Sequence, residues 1–238
     1  MYPITTKNSI TENMESKSTL GSIKTSWLIL VLIGLFLSFP TMTFGQRTMS
    51  DLIEEQCDLV WFGLDFTRSK MIGIEDFSNP EAIRSEFFRK WNIHTIHGRK
   101  DPYYPGVFNL MRVKNDTVMM PVVNQMVKLR TLFLDTTNRL TDSTITDIIS
   151  KYNLPNYEDG VGAVVMVETL NRQTEKLTAY IVFFDLHTKY VLYTRKIVGK
   201  PTGYGFEAYW SGAVHNLTRE IRGPVMEDIR KKYGKQKR

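Results

Sequence analysis

The chain has 238 residues, of which 42% are hydrophobic and 12% aromatic, and it carries a formal net charge of +6. This composition excludes a disordered chain, and a single cysteine excludes a scaffold held together by disulfides. Mean hydropathy is below zero, which excludes a protein made of many membrane spans. The length allows one large domain or two small ones, and a core of this size needs neither a metal nor a disulfide to fold.

The N-terminal segment, residues 1–45, is typical of a secretory signal peptide. Its apolar run at 27–39 is shorter than the roughly 20 residues of a membrane-spanning helix, and lysines precede it. Thr43 and Gly45 are small enough for the −3 and −1 positions, so we expect cleavage between Gly45 and Gln46. The mature protein would then be periplasmic or extracellular, with no integral membrane span. An uncleaved N-terminal anchor is the alternative that the sequence leaves open.

The remaining chain divides into a linker at 46–57, a single domain at 58–223 and a basic C-terminal helix or tail at 224–238. Six of the last nine residues are basic, so most of the excess charge lies in the tail. A nucleic-acid partner is therefore not expected, because that function requires a basic face on the folded body. Cys57 lies too far beyond the apolar run to be a lipid anchor, and it has no partner for a disulfide.

The first half of the domain predicts a strand followed by helices. Residues 59–66 form a short, continuous apolar run that is typical of a buried central strand. Asn79-Pro80 is a helix start, and the apolar residues after it fall on one helical stripe. Residues 98–106 are expected to form a loop, 108–113 a short strand and 117–130 a helix.

The second half predicts a capped helix at 141–150 and three strands at 163–170, 177–186 and 190–198, joined by short turns. The middle strand is apolar on both faces, so the chain or a partner must cover both. The turn Gly199–Gly205 leads into a long amphipathic helix that Gly223-Pro224 should close. The whole pattern predicts an α/β (α+β sandwich) fold with a mixed sheet, an N-terminal central strand and a C-terminal antiparallel meander, flanked by helices.

Few residues indicate chemistry, and no cofactor or metal is expected. His94 and His97 are spaced as a possible metal pair, but a zinc site needs three or four ligands, and a structural role at a helix end explains both residues. The Gly199–Gly205 loop lacks the G-K-[ST] ending of a phosphate loop, although the helix that follows it can hold an anion. Asp65 and Glu168 are strand-borne carboxylates that would have to converge to act as a catalytic pair.

Four segments resemble the conserved blocks of a family of uncharacterised secreted Bacteroidetes proteins: 58–73, 159–168, 182–189 and 203–214. The resemblance brings no catalytic residues. More distantly, the order of elements is similar to the α/β module of periplasmic assembly lipoproteins, which include the curli-secretion lipoprotein and the activator of a penicillin-binding protein. Those proteins have a D-x-x-T-G-x-V-L strand end, where this chain has Lys189 in place of the glycine. That difference and the missing lipid-attachment cysteine argue against membrane anchoring and pore formation more than against the fold.

The leading hypothesis is a non-enzymatic, exported module of the cell envelope that binds another protein or a cell-wall component. Tyr103, Tyr104 and Tyr204 lie in predicted loops and are the candidate contact residues, unless they fold back onto the domain. One alternative is an enzyme whose site is assembled from Asp65, Glu168 and the Gly199–Gly205 loop. Another is an oligomerising structural subunit, which the doubly apolar middle strand would allow.

Overall fold

The computed structural model of the chain describes residues 45–73, 79–97, 106–133 and 139–235. All of them belong to one compact unit, 44–238. Residues 1–44 of the predicted signal segment, 1–45, lie outside the described residues. No helix in these described ranges is both long and apolar enough to span a bilayer.

A mixed sheet forms the centre of the unit and confirms the predicted α/β fold. Its strands are β1 (Leu59–Asp65), β2 (Lys70–Ile72), β3 (Val113–Asn115), β4 (Val161–Asn171), β5 (Lys176–Asp185) and β6 (Val191–Gly199). The order is β3-β1-β4-β5-β6, and β2 pairs with β4 beyond the end of β1. β1 runs parallel to both of its neighbours and is buried along its whole length, as predicted for a central strand.

Strands β4, β5 and β6 form the predicted antiparallel meander. The turn between β5 and β6 is held by Asp185, whose carboxylate accepts hydrogen bonds from the backbone N–H and the hydroxyl of Thr188, both at 2.6 Å. Lys189 has φ of +59°, a left-handed conformation that favours glycine. The lysine therefore occupies a turn position whose backbone conformation favours glycine.

Helices cover both faces of the sheet. They are α1 (Met49–Ile53), α2 (80–97), α3 (Met119–Gln125), α4 (Leu129–Leu132), α5 (Asp142–Ser150), α6 (Phe206–Glu220) and α7 (Met226–Tyr233). One core cluster contains Ile181 and Phe183 of β5 together with buried residues of α2, α6 and α7. The other contains Val182 and Phe184 of β5 together with buried residues of α5. The chain itself therefore covers the doubly apolar β5 on both sides.

Two buried asparagines occupy the place of a missing strand beside β1. The short β3 pairs with β1 only as far as Trp61. Beyond it, Asn92 accepts a hydrogen bond from Leu64 N–H at 2.6 Å, and Asn124 accepts one from Phe66 N–H at 2.8 Å. The amide nitrogens of both asparagines donate to the Leu64 carbonyl, at 3.2 and 2.8 Å. Side-chain amides thus satisfy backbone groups that would otherwise be buried without a partner.

The β1 strand has a glycine where Asn92 approaches it. Gly63 lies at an irregularity in the pairing with β4 and has φ of +95°. A Cβ atom at this position would lie 2.2 Å from the Asn92 side-chain oxygen. Only glycine therefore allows both the backbone conformation and the close contact.

Residues 46–57, expected to be a linker, are part of the folded unit. Thr48 and Asp51 form a capping box at the start of α1, and Met49 and Leu52 are buried in the core. Arg47 donates its backbone N–H to Asp185 at 2.8 Å and its guanidinium to both carboxylate oxygens of Asp159 at 2.6 Å. The domain therefore begins at least ten residues earlier than the sequence pattern indicated.

Two elements of the first half differ from their predictions. The strand predicted at 108–113 lies instead at Val113–Asn115. Phe108 lies in a turn and packs its ring edge-on against Trp61. The helix predicted at 117–130 is interrupted at 126–128, giving the shorter α3 and α4. The β-branched Val122 and Val123 lower the helix propensity of this segment, which agrees with the break.

Gly223-Pro224 does not end the long helix. Residues Ile221–Val225 form a π-turn that joins α6 directly to α7. The wider turn accommodates the proline, which has no N–H to donate, and the chain continues in helical form. Of the predicted basic C-terminal helix or tail, residues Met226–Tyr233 form a helix, and its buried Met226 and Ile229 pack one face on the core.

Candidate functional site

The structure describes one of the three tyrosines that were predicted as contact residues. Tyr103 and Tyr104 lie outside the described residues. Tyr204 is fully exposed, at 101% of its reference area. It borders a cavity of about 250 Å³ at the start of α6, together with Arg172, Phe206 and Tyr209. This aromatic cleft is one surface on which a ligand could bind.

The Gly199–Gly205 loop is shaped by close packing against α6. A Cβ atom at Gly199 would lie 2.2 Å from the Ala213 carbonyl oxygen, and one at Gly203 would lie 2.8 Å from that of Ala208. From the helix side, a Cβ atom at Gly212 would lie 2.0 Å from the Thr202 carbonyl oxygen. The glycines therefore let loop and helix touch, which is a structural reason for their presence.

Asp65, Glu168 and the glycine loop do not form one site. Asp65 is buried and accepts hydrogen bonds from Thr67 and from the Tyr152 hydroxyl, the latter at 2.5 Å. Glu168 is also buried and pairs with Lys196 at 2.6 Å. Both lie on the α5 side of the sheet, whereas the glycine loop packs on α6, and neither carboxylate lines the cleft beside the loop. The structure thus gives each carboxylate its own local partner.

His94 and Cys57 are engaged within the fold, and His97 lies exposed at the end of a helix. The His94 ring is hydrogen-bonded to the Ser211 hydroxyl, which links α2 to α6, and His97 is exposed at the end of α2. Across the described ranges, no three His, Cys, Asp or Glu side chains are grouped as a metal site would require. Cys57 is buried, and burial raises the pKa of its thiol to about 11.

The main feature that the sequence reasoning missed is an apolar groove between α3 and the segment after α5. Three side chains on one side of α3 are exposed: Val118 at 69%, Val122 at 57% and Met126 at 68%. Leu154 and Pro155 form the facing wall, and the cavity between the walls measures about 440 Å³. Exposed apolar residues are common singly, but three on one helix beside a cavity form a contiguous patch.

Buried hydrogen bonds fix the floor and one end of this groove. Tyr152 and Tyr157 line it, and their hydroxyls donate to Asp65 and to Asp116, at 2.5 and 2.7 Å. Burial, followed by the hydrogen bond to Asp116, raises the pKa of Tyr157 to about 12. Burial and the charge of Asp65 also raise the pKa of Tyr152 well above its ordinary value. The hydrogen bonds to Asp65 and Asp116 therefore hold both tyrosine side chains in place beside the groove.

A signal for the groove is present in the sequence. Val118, Val122 and Met126 are spaced by four residues, which places them on one helical face. The segment also carries Met120 and Asn124, which are buried against the sheet on the other face. One face of the helix packs on the sheet, while Val118, Val122 and Met126 on the other remain exposed among the described residues.

Comparisons with known proteins add little to this picture. No family model matches the chain, and no curated protein sequence matches it. Among solved structures, a Xanthomonas campestris protein of the DUF330 family is similar over 80% of this chain and 89% of its own, at 9% identity and a TM-score of 0.26. A similarity of this size carries no argument about fold or function.

Proposed function

We propose that the protein is an exported cell-envelope module without catalytic activity, which binds an apolar segment of a partner protein in the groove between α3 and residues 153–157. The observation that carries the proposal is the exposure of Val118, Val122 and Met126 beside a cavity of about 440 Å³. Export is supported by the apolar run at 27–39 and the small residues that follow it.

The chemistry of the groove matches an apolar peptide segment better than a polar small molecule. Valine, methionine, leucine, proline and tyrosine side chains line most of the groove, and the polar lining residues are Asp116, Lys151, Asn153 and Asn156. Methionine adapts its shape to different apolar side chains, and a polar rim around an apolar centre is typical of protein interfaces. The hydrogen-bonded tyrosines make the floor rigid, which lowers the entropic cost of binding.

Photo-crosslinking in the native envelope tests this proposal. A photoreactive amino acid replaces Val122, and as a control it replaces Val198, a valine on β6 that is 45% exposed and lies away from the groove. We expect an adduct with another envelope protein from position 122 and none from position 198. Equal labelling from both positions, or an adduct with a second copy of this chain, would contradict the proposal.

A substitution supplies the second measurement. Val122→Asp places a charge in the groove, and burying it under a partner should cost about 2 kcal/mol or more, which weakens binding roughly thirtyfold. The fold should be unaffected, because Val122 is exposed in the free protein. Val198→Asp is the matched control and should bind as the wild type does. An unchanged affinity for the crosslinked partner in Val122→Asp would contradict a role for the groove.

A second candidate function, cell-wall binding, is favoured by the complete exposure of Tyr204 beside Arg172, Phe206 and Tyr209. An exposed aromatic ring beside a cleft that two half-buried aromatic rings also line suits stacking on a sugar ring. Co-sedimentation with purified cell wall tests it, with Tyr204→Ala as the variant and Tyr190→Ala, another exposed tyrosine, as the control. Loss of sedimentation in Tyr204→Ala alone supports this function, and equal behaviour of both variants contradicts it.

A further inference from the structure

A third cavity, polar and adjoining the groove, lies beyond the end of β1, and Met126 lines both. It measures about 330 Å³ and is formed by the segment that joins β1 to β2 and by the segment between α3 and α4. Three cationic side chains line it: Arg68, Lys70 and Lys128. No acidic residue is among the side chains that line this cavity, which also include Thr67, Ser69 and Thr131.

Lys70 is the unusual member of this cluster. The residue is 94% buried, since its exposed fraction is 6%, and its ammonium group donates one hydrogen bond, to the Thr131 carbonyl oxygen. No ion pair links it to a carboxylate within the described part of the chain. A buried ammonium group needs an opposite charge nearby, because removal from water costs several kcal/mol per ion.

The nearest described carboxylate in the sequence is already engaged. One oxygen of Asp65 accepts hydrogen bonds from the Thr67 backbone N–H and hydroxyl, and the other accepts one from the Tyr152 hydroxyl. Arg68 and Lys128 are exposed, and among the described residues neither forms an ion pair. The cavity therefore collects positive charge that the described side chains around it do not neutralise.

We propose that this cavity binds a phosphate group, with Lys70 at its base and Arg68 and Lys128 at its mouth. A phosphate dianion offsets two of the three positive charges, whereas a single carboxylate would offset only one. The planar guanidinium of Arg68 can donate two parallel hydrogen bonds to phosphate oxygens, and the ammonium groups act as point charges. The volume equals that of about ten water molecules, which leaves space for the alcohol to which the phosphate is esterified.

Phosphate can reach the cavity from two sources, a soluble phosphate ester or the headgroup of a lipid. Calorimetric titration of the purified protein with inorganic phosphate and with glycerol 3-phosphate measures the first. Flotation with phosphatidylcholine vesicles, prepared with and without phosphatidic acid, measures the second. Sodium chloride at equal ionic strength is the control for general screening. Binding in either arm, if it depends on Lys70, supports the proposal and identifies the source.

Lys70→Met is the decisive variant, because methionine keeps much of the side-chain length and removes the charge. We expect it to bind phosphate about tenfold more weakly or worse, the usual loss for a hydrogen bond to a charged group. In phosphate-free buffer we also expect it to unfold at the same temperature as the wild type or higher, because a buried uncompensated charge has been removed. A purely structural Lys70 would give the opposite, a lower unfolding temperature and unchanged phosphate binding.

Two further variants keep the test decisive if Lys70→Met does not fold. Arg68→Gln with Lys128→Gln changes only exposed side chains and should also weaken phosphate binding about tenfold or more. Lys176→Ala, at another exposed lysine, should bind as the wild type does. Val122→Asp should leave phosphate binding intact, so failure of the groove proposal and failure of this one are distinguishable. The absence of phosphate binding in both arms, or its persistence in the Lys70 and double variants, overturns the proposal.

Discussion

Replacing Asn92 by alanine is expected to lower the free energy of unfolding by roughly 2 to 4 kcal/mol. The variant leaves the buried Leu64 N–H without an acceptor, which costs roughly 1 to 3 kcal/mol. Asn92 also donates to the carbonyls of Leu64 and Phe88. Losing these two hydrogen bonds lowers the free energy of unfolding by less, because the Leu64 carbonyl keeps its hydrogen bond from Asn124 and the Phe88 carbonyl lies within a helix.

Asn124→Ala is expected to cost roughly 1 to 3 kcal/mol, because it leaves Phe66 N–H without an acceptor. The two asparagines share one acceptor, the Leu64 carbonyl, which loses both donors only in the double variant. The double variant should therefore lower the free energy of unfolding by about 1 to 2 kcal/mol more than the two single substitutions added together.

Urea unfolding, followed by tryptophan fluorescence, measures these differences. Trp61, Trp91 and Trp210 are buried, so their emission reports loss of the core. Asn156→Ala, at an exposed asparagine, is the control and should change stability by less than about 0.5 kcal/mol. Two results would refute the conclusion that side-chain amides replace a strand at β1. One is a double variant whose loss of stability equals the sum of the two single losses, and the other is an Asn92→Ala variant as stable as the control.

Three other predictions concern single sites. Cys57 should resist thiol reagents at pH 8 in the folded protein and react on unfolding, because burial raises its pKa to about 11; fast labelling without denaturant would contradict this. Arg47→Met should lower the free energy of unfolding by roughly 0.5 to 1 kcal/mol at pH 7. Because Arg47 lowers the pKa of Asp159, this difference from the wild type should shrink as the pH falls below about 4. A difference that persists at pH 2 would argue against the ion pair. Gly212→Ala should lower the unfolding temperature through contact with Thr202, whereas Gly223→Ala has open space and should not; equal effects in the two variants would show that the loop does not pack closely on α6.

Regular elements were predictable where the local pattern agrees with the tertiary environment. Thr141 caps α5 and Asn79 caps the start of α2 through their side chains, as their positions indicated. The meander followed from three apolar runs with short turns between them, and β5 is buried on both faces as its composition required.

The elements that were predicted wrongly share one physical cause. Contacts between residues far apart in the sequence decide their local conformation. Phe108 is placed by its ring contact with Trp61 and not by strand pairing. Gly223 and Pro224 are signals for a helix end, yet the buried Ile221 and Val225 hold the segment against the core in a π-turn. The roles of Lys70 and Asn92 depend on neighbours that are far away in the sequence, and no local pattern could have indicated them.

The outer edge of β6 affects how the protein behaves at high concentration. The strand has nine residues, about 30 Å of backbone, and no described strand pairs with its outer side. Adjacent cations stand near its middle: Lys196 is bound to Glu168, and Arg195 lies 3.8 Å from Glu220. A strand of a second molecule that added here in antiparallel register would bring these cations against their own counterparts, which opposes stacking into fibres. Replacing both cations with neutral residues would therefore remove a barrier to association through the sheet edge.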